Sequence, residues 1–127
     1  MNFDYTREPG RLLLNRGLNK SYKPLVTILT PFYNAGKYFY QTYNCVMNQT
    51  FPFFEWIIVN DGSTNKEDVE LLNKIELTDE RIKILHKDNG GISTARNLAI
   101  KNANTDIIYP LDADDLIVPT FVECLNY

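Results

Sequence analysis

Three aspartates, Asp112, Asp114 and Asp115, fall within four residues, and no basic residue lies between Asp106 and Asp115 to offset them. Carboxylates crowded in this way are costly unless a cation neutralises them. Hard divalent ions do so through oxygen ligands, and Mg²⁺ or Mn²⁺ commonly takes one or two carboxylates together with substrate phosphates. The plain alternative is an acidic turn that solvates a strand end and caps the following helix. A calcium loop is ruled out. Asp112, Asp114 and Glu123 fit its positions 1, 3 and 12, but Leu116 stands at position 5 and Ile117 replaces the glycine required at position 6. No G-x-G-x-x-G and no G-x-x-x-x-G-K-[ST] occurs, so neither a dinucleotide fingerprint nor a Walker-type loop is available. Phosphate would then be held by a metal, helped by Arg96 and by backbone amides where a helix opens near Ser93.

These side chains need a scaffold. From Lys23 onward, short β-rich runs alternate with helical patterns. Leu25 to Thr30 is a compact apolar run stopped by Pro31, and Phe39, Thr42, Tyr43, Val46 and Met47 then follow helical spacing. Phe54 to Asn60 reads as a second strand. Thr64 and Glu67 have the spacing of a capping box, ahead of a stripe of Val69, Leu72 and Ile75. Arg81 to His86 is a third strand, and Gly90-Gly91 leads into a helix with Ala95, Leu98 and Ala99 on one face. Asp106 to Asp112 is a fourth strand, and Pro119 suits the first turn of a last helix.

Strands alternating with helices predict a mostly parallel sheet with helices on both faces. The near-continuous apolar character of the strands agrees with burial on both sides. In such sheets ligands bind beyond the carboxyl ends of the strands, where the strand order reverses. With the order 3-2-1-4, the turn Pro31-Phe32-Tyr33-Asn34 and the aspartate cluster share one crevice, and Asp61 lies one strand further over.

Four segments now stand in sequence: Val26 to Asn34 (VTILTPFYN), Ile57 to Thr64 (IIVNDGST), Asn89 to Asn97 (NGGISTARN) and Leu111 to Asp115 (LDADD). In order and spacing they resemble the four blocks of the family 2 glycosyltransferases. Asp-Gly-Ser-Thr alone is an ordinary turn, whereas four blocks in order across roughly 25–118 are specific. The resemblance implies the GT-A fold, a Rossmann-like sheet, and transfer of a sugar from a nucleotide-diphosphate donor, most often a UDP-sugar, to an acceptor hydroxyl with inversion. It implies that Thr30, Pro31 and Tyr33 shape the floor of the base pocket, that Asp61 hydrogen-bonds the base, with Asn60 as its neighbour, and that Arg96 sits near the base or diphosphate. It makes Asp112 and Asp114 the D-x-D pair: Asp112 faces ribose and metal, Asp114 is the principal ligand of Mn²⁺ or Mg²⁺, and Asp115 supports the helix start. The family's catalytic base comes after this block. Only twelve residues follow Asp115, with Glu123 the one acid among them and read as surface, so no catalytic residue is assigned within this chain.

The chain therefore reads as two parts, a basic extension over 1–23 and an incomplete donor-binding domain over 24–127, cut short after D-x-D and inactive alone. An open sheet edge then invites self-association. At 127 residues it is one domain's worth of chain, since a domain takes about 100–200 residues. Thirteen basic against sixteen acidic groups give a net charge of −3, which argues against nucleic acid as a partner. The first 23 residues hold five basic and two acidic groups. This arm either lies on the domain or meets an acidic membrane surface. Its longest apolar run, Leu12 to Leu14, falls short of the roughly 7–15 residues of an export signal. Cys45 and Cys124 read as buried thiols of a reducing cytoplasm, and the expected location is the cytoplasm or the inner face of the membrane. The acceptor, whether glycan, lipid-linked or protein, is not legible. His86 and the aromatic run Phe51, Phe53, Phe54 and Trp56 read as structural. Two other functions compete. A phosphate-receiving signalling domain shares this length but needs acids after the first strand, where Thr30-Pro31-Phe32-Tyr33 stands. A non-catalytic nucleotide-binding or interaction module of the same fold is the other.

Overall fold

In the computed structural model the described residues are 23–125. They form β1 (Val26–Phe32), α1 (Gly36–Met47), β2 (Phe54–Asp61), α2 (Lys66–Thr78), β3 (Ile82–Lys87), α3 (Ile92–Asn102), β4 (Ile107–Pro110) and α4 (Phe121–Leu125). The four strands pair in parallel in the order β3-β2-β1-β4, as the apolar strand runs and the alternation with helices required. All eight residues of β2 are buried, and only Pro31 of β1 is not. Edge strand β4 is half-buried at best, since among the described residues one of its flanks has no neighbouring strand.

Alternate residues of a strand face opposite sides of a sheet, and here they feed two cores. Ile28, Phe32, Trp56 and Ile58 pack with Phe39, Tyr43 and Val46 of α1 and with Leu72 and Ile75 of α2. Leu29, Ile57 and Val59 meet Ala95 and Ala99 of α3 on the other side. The first core is aromatic. Trp56 stacks on Phe39 at 5.5 Å and Tyr43 at 6.1 Å, and its indole N–H donates to Thr30 Oγ1 at 2.8 Å. A ring of that size removes about 150–250 Å² from water, about 4–6 kcal/mol at the usual coefficient. The second core is thin because alanines let α3 lie close to the sheet, which brings its N-terminus near the end of β2.

At the opposite end of the sheet, the buried Glu55 carboxylate accepts from Thr27 Oγ1 at 2.6 Å, from Asn104 N at 2.7 Å and from Asn104 Nδ2 at 3.0 Å. These bonds tie the α3–β4 connection to the start of β1 and β2, and so set where β4 enters the sheet.

Several local expectations change. The capping box at Thr64 gives way to Asn65, whose side chain accepts from Glu67 N and Asp68 N, because Thr64 Oγ1 is taken by Asn34 Nδ2 at 3.1 Å. Accordingly Asp68, rather than Val69, is the buried member of the first turn of α2. Arg81 precedes β3 instead of opening it. It is buried, pairs with Asp79 through Nε and Nη2, donates to Pro52 O, and lies 4.3 Å over the Phe54 ring. β4 is shorter than 106–112 because Pro110 has no N–H to extend the ladder, although Leu111 N still reaches Leu29 O at 2.8 Å. The thiols are not both buried: Cys45 is half-buried and Cys124 is exposed, since α4 turns only Val122 fully inward. The basic arm lies, through residue 22, outside the described residues.

Candidate nucleotide-binding site

Beyond the carboxyl ends of β1, β2 and β4 lies a groove of about 300 Å³. Pro31, Phe32, Tyr33, Ala35, Tyr38 and Ile92 form its apolar wall. Asp61, Asp112, Ala113 and Asp114 form the other. Five of the seven residues expected at the nucleotide or metal therefore meet here: Pro31, Tyr33, Asp61, Asp112 and Asp114. Thr30 does not line it. Its side chain points into the aromatic core toward Trp56, so it acts beneath the floor. Arg96 stands outside the wall and touches the site through Asp112.

The turn after β1 is stitched to the loop after β2. Asn34 has a positive φ of 48°, uncommon for a residue with a side chain. Its backbone N–H donates to Ser63 Oγ at 3.0 Å, and its Oδ1 accepts from Thr64 N at 2.9 Å and Asn65 N at 3.0 Å. These bonds hold a conformation that costs free energy by itself, a pattern that clusters at ligand sites. Asp68 Oδ2 accepts from Gly36 N at 3.2 Å, fixing the start of α1 from the side of α2.

At the end of β2, Asp61 is 4% exposed and accepts three donors. Lys87 Nζ and Gly90 N reach Oδ1 at 2.6 and 3.0 Å, and Gly91 N reaches Oδ2 at 2.9 Å. Burial alone would raise the carboxyl pKa, but the Lys87 hydrogen bond, the two glycine amides and the lysine charge outweigh it, holding Asp61 below the usual carboxylate range. The loops are shaped for this. Gly62 has φ 74°, and a Cβ there would sit 2.6 Å from Asn89 N, whose side chain donates to Asp61 O. Gly91 has φ 97° and caps α3 with its N–H aimed at Asp61. Asn60, expected beside the base, instead accepts from Ser63 N and bonds His86 Nδ1 at 3.1 Å, so both residues serve the loop.

The acidic turn is held from α1. Thr42 Oγ1 is shared between Ala113 O at 2.9 Å and Asp115 O at 2.7 Å, while Asp115 Oδ2 accepts from Asp112 N at 3.1 Å. Asp115 thus closes the turn on itself, and Asp114 and Asp115 are both exposed. Arg96 Nη2 pairs with Asp112 Oδ1 at 3.1 Å, with both side chains more than two-fifths exposed. A pair so open to solvent contributes at most about 1 kcal/mol. The buried Arg96 Nε has no partner among the described residues. Lys87–Asp61 is the tighter and more buried of the two pairs.

Among the described residues no three His, Cys, Asp or Glu side chains gather as a metal centre. Two carboxylates at a groove still suit Mg²⁺ or Mn²⁺, which fills its remaining positions with phosphate and water oxygens. The donor set therefore fits such an ion. Sequence reasoning had no signal for Lys87, Tyr38 and Ile92 as site residues. Lys87 becomes visible only through its register opposite Asp61, and the other two through the helix starts that bring them to the groove. No helix among the described residues is long and apolar enough to cross a membrane.

Open parallel α/β sheets bind ligands at such carboxyl-edge grooves, here a mostly apolar one carrying three carboxylates. The chain belongs to glycosyl transferase family 2, whose sequence profile matches residues 27–125. The chondroitin synthase of Pasteurella multocida is 41% identical over 104 residues, which is 81% of this chain and 11% of that protein. Glycosyltransferase GlyG of Streptococcus pneumoniae is 33% identical over 102 residues, 80% of this chain and 34% of that one. The S. aureus TarS fragment 1–349 in complex with UDP-GlcNAc is similar in structure, with a TM-score of 0.72 and 28% identity, covering 79% of this chain and 29% of that one. The chain thus spans between 11% and 38% of the length of the curated relatives it matches.

Proposed function

We propose that this chain supplies the donor-binding half of a metal-assisted, inverting glycosyltransferase that uses a nucleotide-diphosphate sugar, with uracil as the expected base. Pro31 and Tyr33 form the floor for the base, with Tyr38 and Ile92 beside them. Asp61 accepts a hydrogen bond from the base edge, Arg96 sits toward the diphosphate, and Asp112 faces the ribose. Asp112 and Asp114 would hold Mg²⁺ or Mn²⁺, which when bound supplies Lewis-acid stabilisation of charge growing on the β-phosphate. In the reaction the anomeric C–O bond breaks, the nucleotide diphosphate leaves with the bonding electrons, and an acceptor hydroxyl attacks from the opposite face. Its proton passes to a carboxylate base, a role assigned to none of the residues of this chain. The name of the Pasteurella relative supports a glycan as acceptor, and the expected place of action is the cytoplasm or the inner membrane face.

The observation that carries this reading is the meeting of Tyr33 with Asp112 and Asp114 in one groove, from segments almost eighty residues apart. Titration calorimetry with UDP, with and without Mn²⁺, tests it. Binding should require the metal and disappear in Asp114→Ala. Heats indifferent to both changes would defeat the proposal.

A further inference from the structure

Lys87 stands apart from every residue that the family blocks singled out. It ends β3, opposite Asp61 in the parallel register, and its ammonium group meets Asp61 Oδ1 at 2.6 Å and Asp88 O at 2.6 Å. With Gly90 N also on Oδ1, that oxygen is turned to the loop. Oδ2 receives one internal donor, Gly91 N, and an ionised carboxylate oxygen has room for more. Asp61 lines the groove, so the remaining acceptor capacity is available on that side.

Resting on the donor-site reading above, we propose that Lys87 is a positioning residue that fixes Asp61 as an acceptor-only group at the base end of the groove, making the site select bases that present a ring N–H. Uracil does so at N3, and cytosine presents a lone pair at the same atom. An acceptor facing an acceptor buries two groups without a hydrogen bond between them, so the discrimination is larger than a simple loss of contact. A protonated Asp61 could donate as well as accept, and the selection would weaken.

Burial opposes the charge on Asp61, and the Lys87 hydrogen bond, the Gly90 and Gly91 amides and the lysine charge overcome it. Removing the lysine leaves burial in place with two amides against it, so the carboxyl titrates at higher pH. The other charged groups about this end of the groove are few. Asp112 and Asp114 lie on the β4 side, Arg96 of α3 is engaged with Asp112, and Asp88 meets the lysine through its carbonyl. His86 of β3 faces Asn60. Among the described residues Lys87 is the cation hydrogen-bonded to Asp61.

The test compares UDP with CDP, each with Mn²⁺, by calorimetry on the full chain over a range of pH. Both nucleotides share the diphosphate and metal, so their affinity ratio isolates the base. For the unaltered chain UDP should bind at least about tenfold tighter at neutral pH, the loss expected for one charge-assisted hydrogen bond, and the ratio should shrink in acid as Asp61 protonates. Lys87→Met should lower UDP affinity about tenfold with CDP within about twofold, and should move the acid fall-off of the ratio toward neutral pH. Lys87→Arg should restore part of the ratio. A Lys87→Met chain that loses both nucleotides equally, or whose pH profile stays in place, would show a structural lysine and overturn the proposal. If Lys87→Met does not fold, the unaltered chain decides: a UDP-to-CDP ratio near one, or one flat with pH, overturns it. Absence of any nucleotide binding by the unaltered chain would instead remove the donor site itself, and this inference with it.

Discussion

Asn34 shows how much of the site is decided by single residues. A left-handed backbone costs a residue with a Cβ about 1–2 kcal/mol, and here four bonds to the Ser63–Asn65 loop offset it. Asn34→Ala keeps the strain and removes the three side-chain bonds, whereas Asn34→Gly removes the same bonds and the strain together. Urea unfolding should therefore rank Asn34→Gly above Asn34→Ala by about 1 kcal/mol, with both below the parent. An alanine variant as stable as the glycine one would contradict the assigned strain. Asp61 follows the same logic with charge. Because its folded pKa lies below the ordinary aspartate value of 3.8, its contribution to stability is present above that pH and is lost as pH falls through the folded value.

Between elements, α1 acts as the clamp of the acidic turn. Its buried stripe of Phe39, Thr42, Tyr43, Val46 and Met47 is what helical spacing required, yet Thr42 is there for its hydroxyl as well as its methyl. Thr42→Val keeps the shape and leaves the carbonyls of Ala113 and Asp115 without that donor. We expect a loss of about 1–3 kcal/mol in thermal or urea unfolding, as for a buried group left unsatisfied. Metal-dependent UDP binding should weaken beyond that of a comparably destabilised variant in the α2–β3 region. Unchanged binding in Thr42→Val would detach α1 from the site. The last segment is held likewise, with Gln49 Nε2 donating to Val118 O at 2.7 Å and its Oε1 accepting from Val122 N at 2.9 Å.

At the scale of the molecule, the order β3-β2-β1-β4 leaves β3 and β4 as edges among the described residues. The edge of β4 is four residues long and ends in Pro110, and β3 carries Lys83 and Lys87, features that blunt edge pairing. Self-association, if it uses these edges, should rise only with concentration in light scattering, and a mass that stays monomeric at high concentration would remove it. Strand runs, helix stripes, the parallel sheet and the places where chemistry belongs were legible in the chain itself, because burial on both faces writes continuous apolar runs and covering helices write a 3.6-residue period. The placement of the Pro31–Tyr33 turn and of the aspartate cluster at strand ends followed from the same reading, whereas the D-x-D assignment was implied by the family resemblance. Boundaries at Arg81, Thr64 and Pro110 were not legible, since each depended on a partner far along the chain or on a missing N–H. Nor were Lys87 beside Asp61, Thr42 under the acidic turn, or Tyr38 and Ile92 in the groove wall. Local pattern determines which face of an element is apolar, but which polar side chains meet across elements is set by strand register and helix approach, and those exist only once the sheet has closed around its two cores.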